Sequence, residues 1–357
     1  MKIVLLAAAN CIHTARWANG LVSRGITVDL ISIHGCTHDL DSRVNLHVLK
    51  NKSPWGYILA ASKVKALLRK IQPDLVNVHY ATGYGLLARL VDFKPTLLSV
   101  WGSDVYSFPE KSFLHFWLLK GNLRFASAIA STSHCMAKKT AKIFRHKKIF
   151  ITPFGIDEQF FTPVEKPSDL KHLVVLGTVK TLQEGYGIDV LIQAFAQAWK
   201  TLNSPNNVVL EISGGGPDLF MLQSLSKNLG VNNQITFHGQ VSHATVPSML
   251  NRLDIYCALS RRESFGVAIL EASACEKPVI VSDADGLVEV TRIDKTGFVV
   301  PKEDVNASAK AMIKLIQDQA LRKKMGKTGR KHVLKNYTWD KSLDIMLEAY
   351  QEMVKIN

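Results

Sequence analysis

The chain has 357 residues, 47% of them hydrophobic and 21% charged, with a formal net charge of +14. That length exceeds one ordinary core and predicts two domains. The composition excludes a disordered chain, and no apolar run approaches the roughly 18–20 residues of a membrane span. Residues 1–165 hold 21 Lys and Arg against 10 Asp and Glu, whereas the rest holds 23 against 20. A basic excess in the front half favours polyanions or anionic lipid surfaces. The five cysteines, Cys11, Cys36, Cys135, Cys257 and Cys275, form no C-x-x-C pair. That usage fits a reducing compartment better than a disulfide framework or a zinc site.

In chain order, the apolar run 3–9 comes first. It looks superficially like a signal peptide, but it is short and no cleavage site precedes Cys11, so it reads as a buried strand. Runs at 28–33, 75–78, 96–100 and 128–131 read likewise. Between them lie helical patterns at 14–23, closed by Gly25, and at 58–71, stopped before Pro73. Such alternation predicts a parallel sheet covered on both faces. Pro153, Pro163 and Pro167 punctuate a polar stretch, and the linker is expected near 160–168. The pattern then restarts, with strands at 173–176, 208–212, 235–237, 255–258 and 279–281 and helices at 188–199 and 219–229. A last helix over 339–354 is expected to pack back on the first domain. The expected architecture is α/β, two tandem Rossmann-like, doubly wound domains at 1–165 and 166–336, followed by the helical segment 337–357. Ligands of such sheets sit at the carboxyl ends of strands, here in an inter-domain cleft.

The segment from Ser260 to Ala272 carries the most chemistry. It follows a strand and opens a helix, and Gly266 lets the backbone turn tightly there. Amides from Phe265 through Val267 to Ala268 would form the positive end of that helix, suited to a diphosphate. Glu271, on the second turn, can reach two ribose hydroxyls, and Glu263 faces the other end of the ligand. The alternative for the two carboxylates is a pair of solvated helix charges.

This segment resembles the E-x7-E signature of retaining glycosyltransferase family 4, whose fold is GT-B. The neighbouring motifs agree in order and spacing across about 130 residues. Gly177-Thr178-Val179-Lys180 is similar to the family's phosphate loop, and Gly214-Gly215-Gly216-Pro217 to its G-x-G-P turn. Phe237-His238-Gly239 is similar to the strand end that borders the nucleobase. The resemblance implies a nucleotide-diphospho-sugar donor, a UDP-sugar being favoured, held by Gly177, Lys180, Gly215, Gly239, Glu263, Phe265, Gly266, Val267 and Glu271. It implies retention of configuration, with Glu263, Lys180 and His13 as the catalytic set, and transfer to a glycan or lipid-linked glycan in cell-surface polysaccharide synthesis. No cofactor is expected, since the nucleotide-sugar is a substrate. No metal is expected either, because no Asp-x-Asp motif is suitably placed and Lys180 with the helix end can do its electrostatic work.

The front half resembles the family more loosely. His13 and Arg16 open the first helix, and His79 and Asp104 follow strands; these four are the acceptor-side candidates. Trp101 stands where many members of the family have a His that contacts the donor sugar, and Thr178 stands where they commonly have an Arg. His79 or Asp104 is a candidate to replace the first, and Arg261 or Arg262 to add a second phosphate contact. Residues 111–124 mix aromatics with Lys111, Lys120 and Arg124, and a second basic cluster spans Lys138 to Lys148. The reading is a cytoplasmic protein, peripheral at the inner face of the cytoplasmic membrane on anionic lipid, with no nucleic-acid partner. The rivals are a non-hydrolysing sugar-nucleotide epimerase and a non-catalytic polyanion-binding protein.

Overall fold

The fold is that of a computed structural model describing residues 1–49 and 55–355. It divides into two compact units, Met1–Pro153 with the chain from Asp340 onward, and Phe154–Trp339.

In the first unit the apolar runs become parallel strands: β1 (Lys2–Leu6), β2 (Thr27–Ser32), β3 (Asn45–Val48), β4 (Leu75–His79), β5 (Thr96–Val100), β6 (Ala128–Ser131) and β7 (Ile149–Ile151). Their order is β3-β2-β1-β4-β5-β6-β7. Every residue of β4, β5 and β6 is buried, as expected where helices cover both faces. The sequence reading lacked β3 and β7. Both are edge strands with partly exposed residues, so neither shows a continuous apolar run.

The C-terminal helix Trp339–Lys355 is fixed within this unit from Asp340 onward. The buried Tyr350 donates its hydroxyl to Asn77 Oδ1 at 2.8 Å. Arg24 holds Asp340 at 2.8 Å and Asp344 at 2.9 Å.

In the second unit β8 (Val174–Val179), β9 (Val208–Ser213), β10 (Ile235–Gly239), β11 (Ile255–Ala258), β12 (Val279–Ser282) and β13 (Gly297–Val300) pair in the order β10-β9-β8-β11-β12-β13, all parallel. The order reverses between β8 and β11, so a crevice opens at their carboxyl ends. The boundary between units falls at Pro153 rather than near 165. The polar look of this stretch conceals three anchors: Phe154, Ile156 and Phe161 are buried, and Ile156 bridges to Thr338.

Candidate donor site

Three loops at the carboxyl end of the second sheet enclose a cavity of about 640 Å³. The loop after β8 brings Lys180, Thr181 and Tyr186, and the loop after β9 brings the three glycines Gly214, Gly215 and Gly216. The glycines are there because the two loops touch. A Cβ on Gly214 would lie 1.8 Å from the carbonyl oxygen of Lys180, and one on Gly216 2.1 Å from that of Leu182. Gln240, Val241 and His243 close the side beyond β10, and Glu271 completes the lining.

Glu271 is borne by the helix Val267–Ala274, which starts at Gly266 with φ +102°. No side chain caps that turn, so its first amides remain for a ligand, and an anion suits them. Packing dictates the glycine at 286: a Cβ there would come 2.3 Å from the Phe265 nitrogen. Gly286 in turn donates its N–H to the Glu263 carbonyl at 3.0 Å.

Lys180 and Glu263 meet at 2.7 Å, with side chains only 16% and 15% exposed. Burial by itself would depress the lysine's pKa, but the Glu263 carboxylate outweighs it and holds the value above the ordinary one. The amine also lies 4.4 Å from the centroid of the Tyr186 ring. Beneath it the buried Tyr256 donates its hydroxyl to the Val179 carbonyl at 3.3 Å.

Several expected donor contacts are placed differently. Gly177 is not in the loop. It lies inside β8, where a Cβ would come 2.5 Å from the Glu211 carbonyl, so its role is sheet packing. Phe265 is buried, its ring 6.3 Å from Phe154 and 6.1 Å from Tyr337, which leaves only its backbone to the ligand side. Gly239 ends β10 at φ +71° and accepts the Gly214 N–H at 2.7 Å, supporting the glycine turn. Val267 is the first residue of the helix. Arg261 is committed elsewhere. It binds Asp189 through both terminal nitrogens at 2.9 and 2.7 Å, Glu303 at 3.0 Å and the Glu184 carbonyl at 2.6 Å. It therefore staples the loop after β8 instead of meeting phosphate.

In the first unit, the ring of Trp101 lies 4.6 Å from that of His79 and 5.9 Å from that of His13. Arg16 is on the same helix as His13, Ile12–Ser23. His79 is 2% exposed, and burial, then the neighbouring His13, pushes its pKa down to about 3. It is a neutral ring, with Nε2 3.2 Å from Asn77 Oδ1. Asp104 is fully buried, and its carboxylate accepts the N–H groups of Ala81 at 2.9 Å, Gly102 at 2.8 Å and Trp101 at 3.2 Å. Burial raises its pKa despite those donors. Asp104 braces the Trp101 loop through those amides, and His79 packs against the Trp101 ring with its Nδ1 left without a hydrogen-bond partner.

The sequence reading missed Tyr186, Gln240 and His243. Tyr186 lies between Gly185 and Gly187, and that glycine pair was the available signal for a tight loop. Among the described residues no three His, Cys, Asp or Glu side chains are grouped to hold a metal ion, and no helix is long and apolar enough to cross a membrane.

Two family models match the chain, "Glycosyl transferases group 1" over residues 162–332 and "Glycosyl transferase 4-like" over residues 2–133. Among curated relatives, the N-acetyl-alpha-D-glucosaminyl L-malate synthase of Bacillus anthracis is 23% identical over 94% of this chain and 89% of its own length. The D-inositol 3-phosphate glycosyltransferase of Salinispora arenicola is 32% identical, over 56% of this chain and 48% of its own. The chain thus spans about half the length of several relatives that it matches. Among solved structures, the sucrose-phosphate synthase of Thermosynechococcus elongatus shares the fold at a TM-score of 0.87 and 18% identity, with both chains fully covered. Anabaena HepE, solved with UDP and glucose, matches at a TM-score of 0.81 and 18% identity over 98% of this chain and 99% of its own. With both units matched in sequence order by the two family models, this chain belongs to the group 1, family 4-like glycosyltransferases.

Proposed function

We propose that this glycosyltransferase takes its sugar from a nucleoside diphosphate sugar, a UDP-sugar by preference, and transfers it with retention to a saccharide or lipid-linked saccharide in cell-surface polysaccharide synthesis. The observation that carries the donor is the cavity lined by Lys180, the glycine turn Gly214–Gly216 and Glu271, the last borne by a helix that starts without a side-chain cap at Gly266. Departure of the nucleoside diphosphate builds negative charge on the β-phosphate. Lys180 and the helix amides stabilise that charge without a metal ion. Glu263 orients the donor sugar and Glu271 the ribose. Retention follows if the departing phosphate takes the acceptor's proton on the same face. HepE is described in complex with UDP-glucose, which favours uridine as the base. A thermal-shift panel of UDP-, GDP- and ADP-sugars tests the donor, because a tight ligand raises the melting temperature by mass action. The UDP-sugars should shift it most; a shift by none of the three classes would overturn the reading. Activity should survive dialysis against EDTA, and loss restored by Mg²⁺ would overturn metal independence.

The acceptor side falls to the first unit, around His13, Arg16 and Trp101. A membrane-peripheral, cytoplasmic location rests on the helix Phe113–Phe125. Phe113, Leu114 and Trp117 are 73%, 78% and 50% exposed, beside Lys111, Lys120 and Arg124. Apolar side chains among cations suit the interface of an anionic bilayer. The second basic cluster is partly neutralised, since Lys139 meets Glu110 at 3.5 Å and Lys148 pairs with Glu352. Co-sedimentation with anionic liposomes at low salt should be lost in Trp117→Glu, and absence of binding by the wild type would leave a soluble acceptor ahead.

A further inference from the structure

We propose that Tyr186 is a positioning residue for the transfer reaction, its ring holding the Lys180 ammonium in place for the leaving diphosphate. The inference rests on the donor reading and adds to it a residue from the long loop after β8. Lys180 is the only lysine or arginine lining the cavity among the described residues. Position 178 offers no second cation, being a buried threonine, and Arg261 is bound to Asp189 and Glu303. Lys180 is therefore the cation that the cavity itself offers a phosphate, and its position matters.

Two groups fix that ammonium. Glu263 accepts one hydrogen bond at 2.7 Å, and the Tyr186 ring faces it at 4.4 Å from the centroid. These restraints differ in kind. A carboxylate consumes an N–H and competes with phosphate for the charge. An aromatic face attracts the charge through its quadrupole and need not take a directed N–H. The ring can hold the amine while the remaining N–H groups turn to ligand oxygens.

The loop is constructed to deliver that ring. Tyr186 donates its N–H to the Gln183 carbonyl at 2.9 Å, and Gly185 accepts the N–H of Arg261 at 2.9 Å. Gly187 follows at φ +62°, where a Cβ would lie 2.0 Å from the Leu259 carbonyl oxygen. Arg261 clamps both the Glu184 carbonyl and Asp189, one on each side of the tyrosine. The ring itself packs partly buried against the core of the second unit.

A graded substitution separates an electrostatic role from a merely structural one. Phenylalanine and its mono-, di- and trifluorinated analogues are placed at position 186 by nonsense suppression. Each fluorine weakens the ring's negative face with little change of size. UDP affinity is read by calorimetry, and kcat and KM with the UDP-sugar that gives the largest thermal shift. Tyr186→Phe should match the wild type within about twofold. Along the fluorinated series log kcat should fall steadily, by about three- to thirty-fold in total, while the melting temperature without ligand stays constant. A flat series with normal UDP binding overturns the role of Tyr186 and leaves the donor site standing. A wild type that binds no nucleoside diphosphate overturns the donor site, and this proposal with it. As a second check, Lys180→Ala should abolish the dependence on fluorination; if the slope persists there, the ring acts through something other than the lysine.

Discussion

Lys180 is held between opposing effects, and their balance gives a pH dependence. Burial disfavours its charge and Glu263 favours it, with the net pKa raised above the ordinary value. The stabilisation from the lysine's charge is therefore complete below its ordinary pKa of 10.5 and fades only as pH rises through the folded value. Glu263→Gln removes the favourable partner and leaves the burial. Its activity should decline at lower pH on the alkaline limb than that of the wild type, and superimposable pH–rate profiles would contradict the assignment. Lys180→Ala should lose about 10²–10³ in kcat, the scale of removing one preorganised donor from a developing charge, as measured with saturating donor. His79 gives the converse case. With its pKa near 3, its ring resonances should not titrate between about pH 5 and 8. A midpoint in that range would mean that the ring is exposed. Residue types and spacing made Glu263, Gly266 and Glu271 legible in the sequence. The roles of Asp104, His79 and Arg261 were not legible, because each depends on which backbone amides or carboxylates a loop brings alongside.

At the scale of elements, the central strands and most helices could be read from apolar periodicity, since buried parallel strands need continuous apolar runs. The edges could not. β3 and β7 are short and partly exposed, and the polar stretch in which the linker is expected, near 160–168, is flanked by the buried Phe154 and Ile156 and contains the buried Phe161. The loop after β8 is also an element with its own stability. Its turn at Gly187 needs positive φ and almost touches the Leu259 carbonyl. Gly187→Ala should cost about 1–3 kcal/mol in urea unfolding of the second unit and weaken UDP binding. Unchanged values in both would mean that the loop takes another path. Arg261→Ala should leave the sheet intact and raise KM for the donor, since the staple orders the loop but is not part of the sheet.

For the whole molecule, two compact units mean that unfolding need not be a single transition. The second unit carries an acid-sensitive contact. Glu211, with a 7% exposed side chain, takes two hydrogen bonds from Arg252 at 2.8 and 2.6 Å. Burial opposes its charge, but Arg252 prevails and lowers the carboxyl's pKa below its ordinary value of 4.5. The stability that it contributes is present above 4.5 and lost as pH falls through the lower folded value. Arg252→Ala should cost about 1–3 kcal/mol at neutral pH, since among the described residues only His238 Nε2, 3.2 Å away, then stands beside the buried carboxylate. The fold class and the ordered glycine loops were legible across the molecule because each loop must fit close to its neighbour, which restricts it to glycine. The substrate was less legible, since donor and acceptor choice rests on a few side chains whose positions the motifs do not fix. The most direct test of the account is a calorimetric titration of UDP into the wild type and into Glu271→Ala. The wild type should bind UDP saturably at one-to-one stoichiometry, and the variant at least about tenfold more weakly, the cost of one charged hydrogen bond. Equal affinities in the two proteins would contradict it.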